Sequence, residues 1–454
     1  MGKGIEVWSV RHLLIVSVAL NVWLMLKLGY YEKHSNFGTE QIFHGFCAED
    51  KHLTNDVPFS SSSSMLGAED EKHNDPSIYS NYDEVDADLD RVINLDHGDP
   101  TMYEKYWQNA GDKTTVVISG WQSMSYFSDI KNLCWFLEPT FAKEVVRLHD
   151  IVGNAVTEGR HIVVGTGSTQ LFQAALYALS SDHSSQPISV VSATPYYSFY
   201  RQVIEYMKSG LYKWAGDTAD FSADGPYIEL ITSPNNPDGF LRQPIVNRTG
   251  GMLVHDFAYY WPQYTPITSP ADHDIMLFTV SKTTGHAGMR IGWALVKDKE
   301  VAKKMTKFIE LSSIGVSKDS QVRAAKILQA VSDSCNATGD FRKKENFFEI
   351  SHQLIADRWK QLRNAVNKNK MFSIQEFPPA FCTYTTRTFT TQPAFAWLKC
   401  ESEEDDCESI LRKHKVLTRG GKHFGMSPQY VRISMLDRES NFDLFIERLS
   451  KMHS

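Results

Sequence analysis

The sequence predicts an α/β protein with a mostly parallel central sheet in a large domain and a smaller α+β domain. A chain of 454 residues, of which 42% are hydrophobic, can supply a sizeable core. After residue 91, short β-rich apolar runs alternate with helical patterns, which is typical of a parallel sheet with helices on both faces. The predicted strands lie at residues 161–164, 188–192, 227–231, 252–254 and 275–279.

The N-terminal part of the chain contains an apolar run, residues 13–26, interrupted only by Ser17 and Asn21. It is shorter than the roughly 20 residues that span a bilayer, but residues 7–28 could cross if the flanking basic residues extend to the interface. A cleaved signal peptide is the alternative, although no small-residue cleavage pattern follows. We therefore expect a short segment at residues 1–12 and a membrane-anchor helix at residues 13–30 of a single-pass protein, with orientation undecided.

A polar tract follows this helix. Residues 31–90 are rich in Ser, Asp, Glu and Asn and include an acidic stretch at 83–90. Such a composition cannot bury enough apolar area to order itself, so we expect a disordered linker. The remaining residues, 91–454, would form the folded region. Its large domain is expected at about 140–330 and its small domain at about 91–139 plus 331–454.

Charge and cysteine content exclude several classes of function. The formal net charge is -7, and scattered lysines and arginines give no footprint for nucleic acid. The six cysteines lack the spacing of a zinc site or the density of a disulfide scaffold, so we expect no metal and free thiols. Cys400 and Cys407 flank an acidic run and could pair in an oxidising compartment, but we favour two unpaired surface cysteines.

The first informative motif is the glycine turn at residues 165–170, which follows a predicted strand and opens into a helical pattern. Such a turn presents backbone N–H groups and the positive end of the helix dipole, which suit a phosphate. The hydroxyls of Ser168 and Thr169 can add hydrogen bonds. Alone this signal is weak, because many turns of this kind are only helix caps.

Two further motifs lie at the ends of predicted strands. Residues 233–239 form a turn with Asn-Pro and Asp-Gly dipeptides, which contains Asn236. Asp256 ends another apolar run, where open α/β sheets bind ligands. The run at 275–280 is followed by Ser281 and Lys282, and Arg290 comes eight residues after the lysine.

The order of these motifs resembles that of the fold-type-I aminotransferases that depend on pyridoxal 5'-phosphate (PLP), over the chain from about residue 94 onward. The resemblance implies the PLP-dependent transferase fold type I, with Lys282 as the catalytic residue that carries PLP as a Schiff base and later moves the Cα proton. Asp256 would keep the pyridine nitrogen protonated, so that the ring accepts electrons.

The resemblance also implies the other contacts. Arg290, Ser168 and Thr169 would clamp the phosphate, since a guanidinium matches a dianion. Asn236 and Tyr259 would hydrogen-bond the phenolic oxygen, and Arg432, inside an apolar run, would grip the substrate α-carboxylate. Further cofactor contacts are expected from Gln170, Tyr197, Thr279 and Ser281. For Tyr197, which would stack on the ring, a core tyrosine is nearly as good an interpretation.

Longer stretches, at residues 94–101, 126–139 and 285–294, resemble the plant alliinase-like branch, and most of all its tryptophan aminotransferase-related proteins of auxin biosynthesis. This implies that L-tryptophan and a 2-oxo acid, such as pyruvate, give indole-3-pyruvate and an amino acid, such as alanine. Tyr126 would reach the phosphate of the neighbouring subunit, which implies a homodimer with shared sites. Anchored relatives imply the endoplasmic reticulum membrane.

Two alternatives remain open at this point. One is an alliinase-type C–S lyase acting on S-alkyl cysteine sulfoxides, because both reactions begin with the same Cα deprotonation. Alliinases resemble this chain in the core but carry a cysteine-rich module before it, whereas here only Cys47 precedes Cys134, so we favour transamination. The other is an inactive, membrane-anchored scaffold, which would lack a lysine, aspartate or arginine that this chain retains.

Overall fold

The central element of the fold is a seven-stranded sheet. The computed structural model describes residues 91–180, 186–246, 248–335, 345–401 and 406–452. The strands of this sheet are β2 (His161–Gly165), β3 (Ile188–Ser192), β4 (Tyr212–Asp217), β5 (Tyr227–Thr232), β6 (Gly251–Asp256), β7 (Ile275–Thr279) and β8 (Gly292–Val296). They are ordered β2-β8-β7-β6-β5-β3-β4, with β8 antiparallel to both neighbours and every other pair parallel. The predicted mostly parallel sheet is thus confirmed.

The helices follow the strands in the order expected of an α/β protein. They are α1 (Glu104–Ala110), α2 (Pro139–Val152), α3 (Gly167–Ser180), α4 (Ser198–Met207), α5 (Val280–Thr283), α6 (Lys299–Ser313), α7 (Lys318–Cys335), α8 (Phe347–Asn369), α9 (Cys407–Lys413) and α10 (Glu439–Lys451). All residues of β5, β7 and β8 are buried, so both faces of the sheet are covered. This is why β7 and β8 read as nearly continuous apolar runs, whereas Glu229 interrupts the run in β5.

Local signals in the sequence set several helix ends. Helix α2 begins with Pro139, whose fixed φ suits the first helical position, and Gly153 at φ 68° ends it. The Asp298 side chain accepts hydrogen bonds from the N–H groups of Glu300 and Val301 and so caps α6.

A second, four-stranded antiparallel sheet is formed by the C-terminal part of the chain. Its order is β14 (Arg419–Gly420), β15 (Tyr430–Ser434), β12 (Phe395–Cys400) and β9 (Phe372–Ile374). The strands β10 (Pro379–Cys382) and β11 (Arg387–Thr390) form a separate antiparallel pair. The predicted domain boundaries remain a prediction.

The segment at residues 93–98 crosses to this C-terminal sheet. Strand β1 (Ile93–Asn94) pairs in parallel with β13 (Val416–Leu417), and the N–H of Ser434 donates to the carbonyl oxygen of Leu95 at 2.9 Å. These contacts hold the following residues, Asp96 to Gly98, beside the end of β15.

The expected single-pass membrane location is corrected by the structure. In the part of the chain that is described, none of the helices is both long and apolar enough to cross a membrane. The segments predicted at residues 1–12, 13–30 and 31–90 lie outside the described residues. Neither the location in the endoplasmic reticulum nor the membrane as a partner is therefore supported.

The expectation for Cys400 and Cys407 was wrong, because these two residues form a disulfide. Cys400 ends β12 and Cys407 begins α9, and their Cα atoms lie 5.8 Å apart, within the range that a disulfide spans. Both side chains are buried rather than on the surface. The disulfide therefore ties α9 to the central part of the smaller sheet.

Candidate active site

A cavity of about 170 Å³ lies where the parallel strands β5, β6 and β7 end. It is lined by Ser168, Thr169, Tyr197, Thr232, Asn236, Asp256, Ala258, Tyr259, Thr279, Ser281, Lys282, Ala287 and Arg290. This is the edge at which open α/β sheets bind ligands. Most of the site residues predicted from the sequence are thus brought together around a single cavity.

Lys282 lies in the short helix α5, directly after β7. The Thr279 side chain caps this helix by accepting a hydrogen bond from the Ser281 N–H at 3.2 Å. The Lys282 ammonium donates to the carbonyl oxygen of Gly98. Burial lowers the pKa of Lys282 to about 8, with the positive charges of Arg432 and Arg290 acting in the same direction. At neutral pH a minority of the amine, but far more than for an ordinary lysine, is therefore in its uncharged, nucleophilic form.

Asp256 ends β6 and points its carboxylate into the cavity lining. The carboxylate accepts hydrogen bonds from the Ala258 N–H at 3.1 Å and from the Tyr200 hydroxyl at 3.2 Å. Burial raises the pKa of Asp256 from 3.8 to about 6. Burying a carboxylate without a neighbouring cation costs free energy. The Asp256 carboxylate is therefore suited to bind a protonated ring nitrogen.

The corner of the cavity at Ser168 and Thr169 could hold a phosphate. The two residues lie in the first turn of α3, whose N-terminus favours anions. Gly167 has a φ of +76°, and a Cβ atom built there would lie 2.6 Å from Nη2 of Arg290. A Cβ at Gly292 would lie 2.8 Å from the backbone nitrogen of Ser168. The absence of a side chain at Gly167 lets the Arg290 guanidinium approach the start of α3, and its absence at Gly292 lets the start of α3 pack closely against β8.

Asn236 and Tyr259 lie side by side, with Nδ2 of Asn236 donating to the Tyr259 hydroxyl at 3.5 Å. Burial raises the pKa of Tyr259 well above its ordinary value, so the hydroxyl stays protonated and can donate a hydrogen bond. Tyr197 stands at the N-terminus of α4 and stacks on Phe199, with ring centroids 5.6 Å apart. Its ring lines the cavity, and its stacking on a cofactor remains a prediction.

Arg432 lies in β15, beyond the residues that line the cavity. Nη1 donates to Oδ1 of Asn236 at 3.1 Å, and Nη2 donates to the carbonyl oxygen of Asp96. The guanidinium carbon lies 4.1 Å from the ring centroid of Phe395. Among the described residues its buried Nε has no hydrogen-bond partner. A buried guanidinium that is fixed in position and has an unpaired N–H is suited to bind a carboxylate ligand.

Besides Arg432, two of the predicted residues are not part of this cavity lining. The Gln170 side chain accepts a hydrogen bond from the Thr166 N–H at 2.7 Å and donates to the Ser313 hydroxyl at 3.2 Å. Tyr126 is 71% exposed and lies on an irregular segment before α2. Thr279 and Ser281 do line the cavity, but the Thr279 hydroxyl is bound to Ser281 and to the carbonyl oxygen of Ile291.

Several groups at the site were not predicted from the sequence. Thr232 ends an apolar run, and the rule that selected Asp256 could have found it. Gly98 and Asp96 lie in the stretch 94–101, which carries part of the family resemblance. Nothing in the sequence shows that the carbonyl oxygen of Gly98 reaches Lys282 or that the carbonyl oxygen of Asp96 reaches Arg432. Tyr200 gave no signal, because only the packing of α4 brings it to the Asp256 carboxylate.

Comparison with solved structures identifies the fold. The chain is similar to a methionine aminotransferase from Escherichia coli, YbdL, with a TM-score of 0.56 and 16% identity over 80% of this chain and 93% of that one. The fold is that of the fold-type-I PLP-dependent aminotransferases, as predicted.

Sequence comparison identifies the family. A family model described as "Allinase" matches residues 93–453. The chain is 54% identical to tryptophan aminotransferase-related protein 2 of Arabidopsis thaliana over 452 residues, which cover 99% of this chain and 98% of that protein. It is 37% identical to an alliin lyase of Allium cepa var. aggregatum over 365 residues, 78% of this chain and 80% of the lyase. The chain belongs to the alliinase family.

Proposed function

We propose that the protein is a PLP-dependent L-tryptophan aminotransferase that uses a 2-oxo acid such as pyruvate as amino acceptor. Its products would be indole-3-pyruvate and alanine, in the biosynthesis of the auxin indole-3-acetic acid. The reaction class rests on the position of Lys282 in one cavity with Asp256 and Arg290. The choice of substrate rests on the similarity to the tryptophan aminotransferase-related relatives.

The residues around the cavity fit PLP. Arg290 and the start of α3 form a cradle that a Cβ at Gly167 would fill, which suits the phosphate. The Asp256 carboxylate supplies the negative charge that a protonated pyridine nitrogen requires. Asn236 and Tyr259 offer hydrogen-bond donors for the phenolic oxygen, and Tyr197 offers a ring face.

PLP, when bound, supplies an electron sink for the bond to be broken at Cα. The protein has to orient the substrate and move one proton. Arg432 holds the α-carboxylate in a bidentate pair, which fixes the direction of the Cα–H bond. Lys282, with its pKa lowered to about 8, would act as the general base that takes the proton from Cα and would hold it for return to the bound cofactor. The cavity walls, which are mostly buried, keep water from this proton.

The proposed assembly is a homodimer with shared active sites. Apolar side chains are strongly exposed along the segment before α2, among them Val117 (87%), Trp121 (73%), Met124 (83%) and Ile130 (75%). The segment is nevertheless fixed to the body of the protein, since the Lys318 ammonium donates to the Phe127 carbonyl oxygen at 2.7 Å. An ordered, exposed apolar surface of this kind marks a contact with another protein. Tyr126 lies within this exposed surface and would reach the phosphate of the cofactor bound to the partner subunit.

Subunit mixing tests the shared site. Lys282→Ala and Tyr126→Ala variants should both be nearly inactive alone. In a mixed dimer, one site combines the intact Lys282 of one subunit with the intact Tyr126 of the other, so activity should return. If mixing restores nothing, although mixed dimers form, Tyr126 does not act across the interface.

Product analysis tests the proposed function. Purified PLP-loaded protein is given L-tryptophan, L-phenylalanine or an S-alkyl cysteine sulfoxide, each with pyruvate, beside a Lys282→Ala control. We expect indole-3-pyruvate and alanine in equal amounts from L-tryptophan. Ammonia and a sulfenic acid product from the sulfoxide, without turnover of L-tryptophan, would instead establish the lyase reaction suggested by the alliin lyase relatives.

A further inference from the structure

Two arginines face each other in the smaller sheet beside the site. Arg419 in β14 and Arg432 in β15 are directly paired across the antiparallel ladder. Like charges in such a position repel each other, and both side chains are largely withdrawn from water, with exposures of 19% and 4%. An arrangement of this kind requires a counter-charge between or beside the two guanidinium groups.

The Asp96 carboxylate supplies that counter-charge, but it lies closer to Arg419 than to Arg432. Nε and Nη2 of Arg419 donate to the two carboxylate oxygens of Asp96 at 2.5 and 3.2 Å, a bidentate pair. The nearest approach of Arg432 to this carboxylate is 3.9 Å. Arg432 instead donates to the backbone carbonyl oxygen of the same residue.

Arg419 is itself held in place. Its Nη1 donates to the Ser198 hydroxyl at 3.1 Å, and its guanidinium carbon lies 5.7 Å from the ring centroid of Phe199. The three charged groups therefore carry a net charge of about +1, and the uncompensated part lies on Arg432. The centroids of the Phe395 and Phe424 rings lie 4.1 and 5.3 Å from the guanidinium carbon of Arg432 and restrict the position of that group.

We propose that Arg419 is a positioning residue that holds the Asp96 carboxylate away from Arg432 and so leaves Arg432 for the carboxylate of the substrate. This inference rests on the proposed function, in which Arg432 binds the α-carboxylate of the amino acid and of the 2-oxo acid. If Arg419 lost its charge, the Asp96 carboxylate would have Arg432 as its nearest guanidinium, only 3.9 Å away. An internal carboxylate would then compete with the substrate.

The first test replaces Arg419 by methionine, which keeps the length of the side chain without its charge. We expect the KM for both L-tryptophan and pyruvate to rise roughly ten- to a hundredfold, the loss of about one charge-assisted contact, with a smaller change in kcat. Arg419→Lys, which can hold Asp96 only as a point charge, should lie between the variant and wild type. Arg201→Met removes an exposed arginine paired with Glu205 and should leave KM unchanged.

The second test separates competition by Asp96 from a structural effect. In the Arg419→Met background, Asp96→Asn removes the competing charge, so KM should return to within about threefold of the wild-type value. A variant that is damaged only in its fold would not recover when a second residue is changed. Thermal melting of each variant shows whether it is folded.

Ligand binding gives a readout that does not depend on turnover. The PLP-loaded protein is titrated with indole-3-propionate and with its neutral amide by calorimetry. We expect Arg419→Met to weaken binding of the carboxylate and not of the amide, and Asp96→Asn in that background to restore it. An unchanged carboxylate-to-amide ratio in a folded Arg419→Met variant, or no recovery in the double variant, would overturn the inference. A wild-type protein that binds the carboxylate in preference to the amide but does not turn over L-tryptophan would instead contradict the proposed function.

Discussion

Gly167→Ala tests the proposed phosphate cradle at the position where the fold leaves least room. Gly167 has a φ of +76°, and a Cβ there would lie 2.6 Å from Nη2 and 3.3 Å from Cζ of Arg290. Real Cβ atoms do not approach that closely, so the guanidinium has to move. Because Arg290 is proposed to bind the phosphate, the substitution should weaken the binding of PLP.

The free-energy cost of Gly167→Ala has two parts. A left-handed backbone costs an alanine about 1–2 kcal/mol of folding stability, whatever surrounds it. Displacing Arg290 removes a charge-assisted contact with the phosphate, of about 1.5–3 kcal/mol. The second part alone affects the cofactor, so we expect the Kd for PLP to rise roughly ten- to a hundredfold.

Gly153→Ala is the matched control. Gly153 has a similar φ of +68°, and in the described part of the chain no atom beyond its own chain neighbours lies within 4 Å of the position of its Cβ. Both variants should therefore lose a similar free energy of unfolding in urea, measured without cofactor. Only Gly167→Ala should bind PLP more weakly in a fluorescence titration. Equal Kd values for the two variants would refute the assignment of the phosphate to this corner.

The remaining predictions concern the ring nitrogen, the substrate carboxylate and the disulfide. Burial raises the pKa of Asp256 to about 6, so the folded protein without cofactor retains a proton between about pH 4 and 6 that the unfolded chain releases. The unfolding free energy of wild type should therefore fall relative to that of Asp256→Asn as pH rises through this window, by on the order of 3 kcal/mol at pH 7. Urea titrations at several pH values measure both free energies. A difference between the two proteins that does not change with pH would contradict the prediction. Asp256→Ala should abolish transamination while PLP still binds, which absorbance and product assays measure separately; near-normal turnover would rule out its role at the ring nitrogen. Arg432→Ala should raise the KM for L-tryptophan more than it lowers kcat, and an unchanged KM would exclude it as the carboxylate ligand. Reducing the disulfide between residues separated by 7 positions should lower the free energy of unfolding by about 2 kcal/mol, and a Cys407→Ser variant should be insensitive to the reductant.

The sheet and most of the cavity lining could be predicted because each depends on short stretches of sequence. The buried strands β5 and β7 read as apolar runs, since both faces are covered. Asp256 and Lys282 come directly after such runs, and the ends of parallel strands meet at one edge of a sheet. A strand pattern therefore already implies that these side chains lie close together.

What could not be predicted depends on contacts between distant parts of the chain. The pairing of Asp96 with Arg419 joins residues 323 positions apart, and it exists only because β1 docks against β13. The disulfide was missed because its formation depends on where β12 ends and α9 begins, which the sequence around the two cysteines does not show. Gln170 was assigned to the cofactor from its place in a motif, whereas its side chain bonds within the turn and to α6.

A single-turnover experiment tests the central claim that Lys282 serves the transamination of L-tryptophan. PLP-loaded protein is mixed with excess L-tryptophan without any 2-oxo acid, and the indole-3-pyruvate released is quantified by mass spectrometry. We predict about one equivalent for each active site from wild type and none from Lys282→Ala, followed by alanine when pyruvate is added. Absence of indole-3-pyruvate from folded, PLP-loaded wild-type protein, or an equal amount from Lys282→Ala, would contradict the claim.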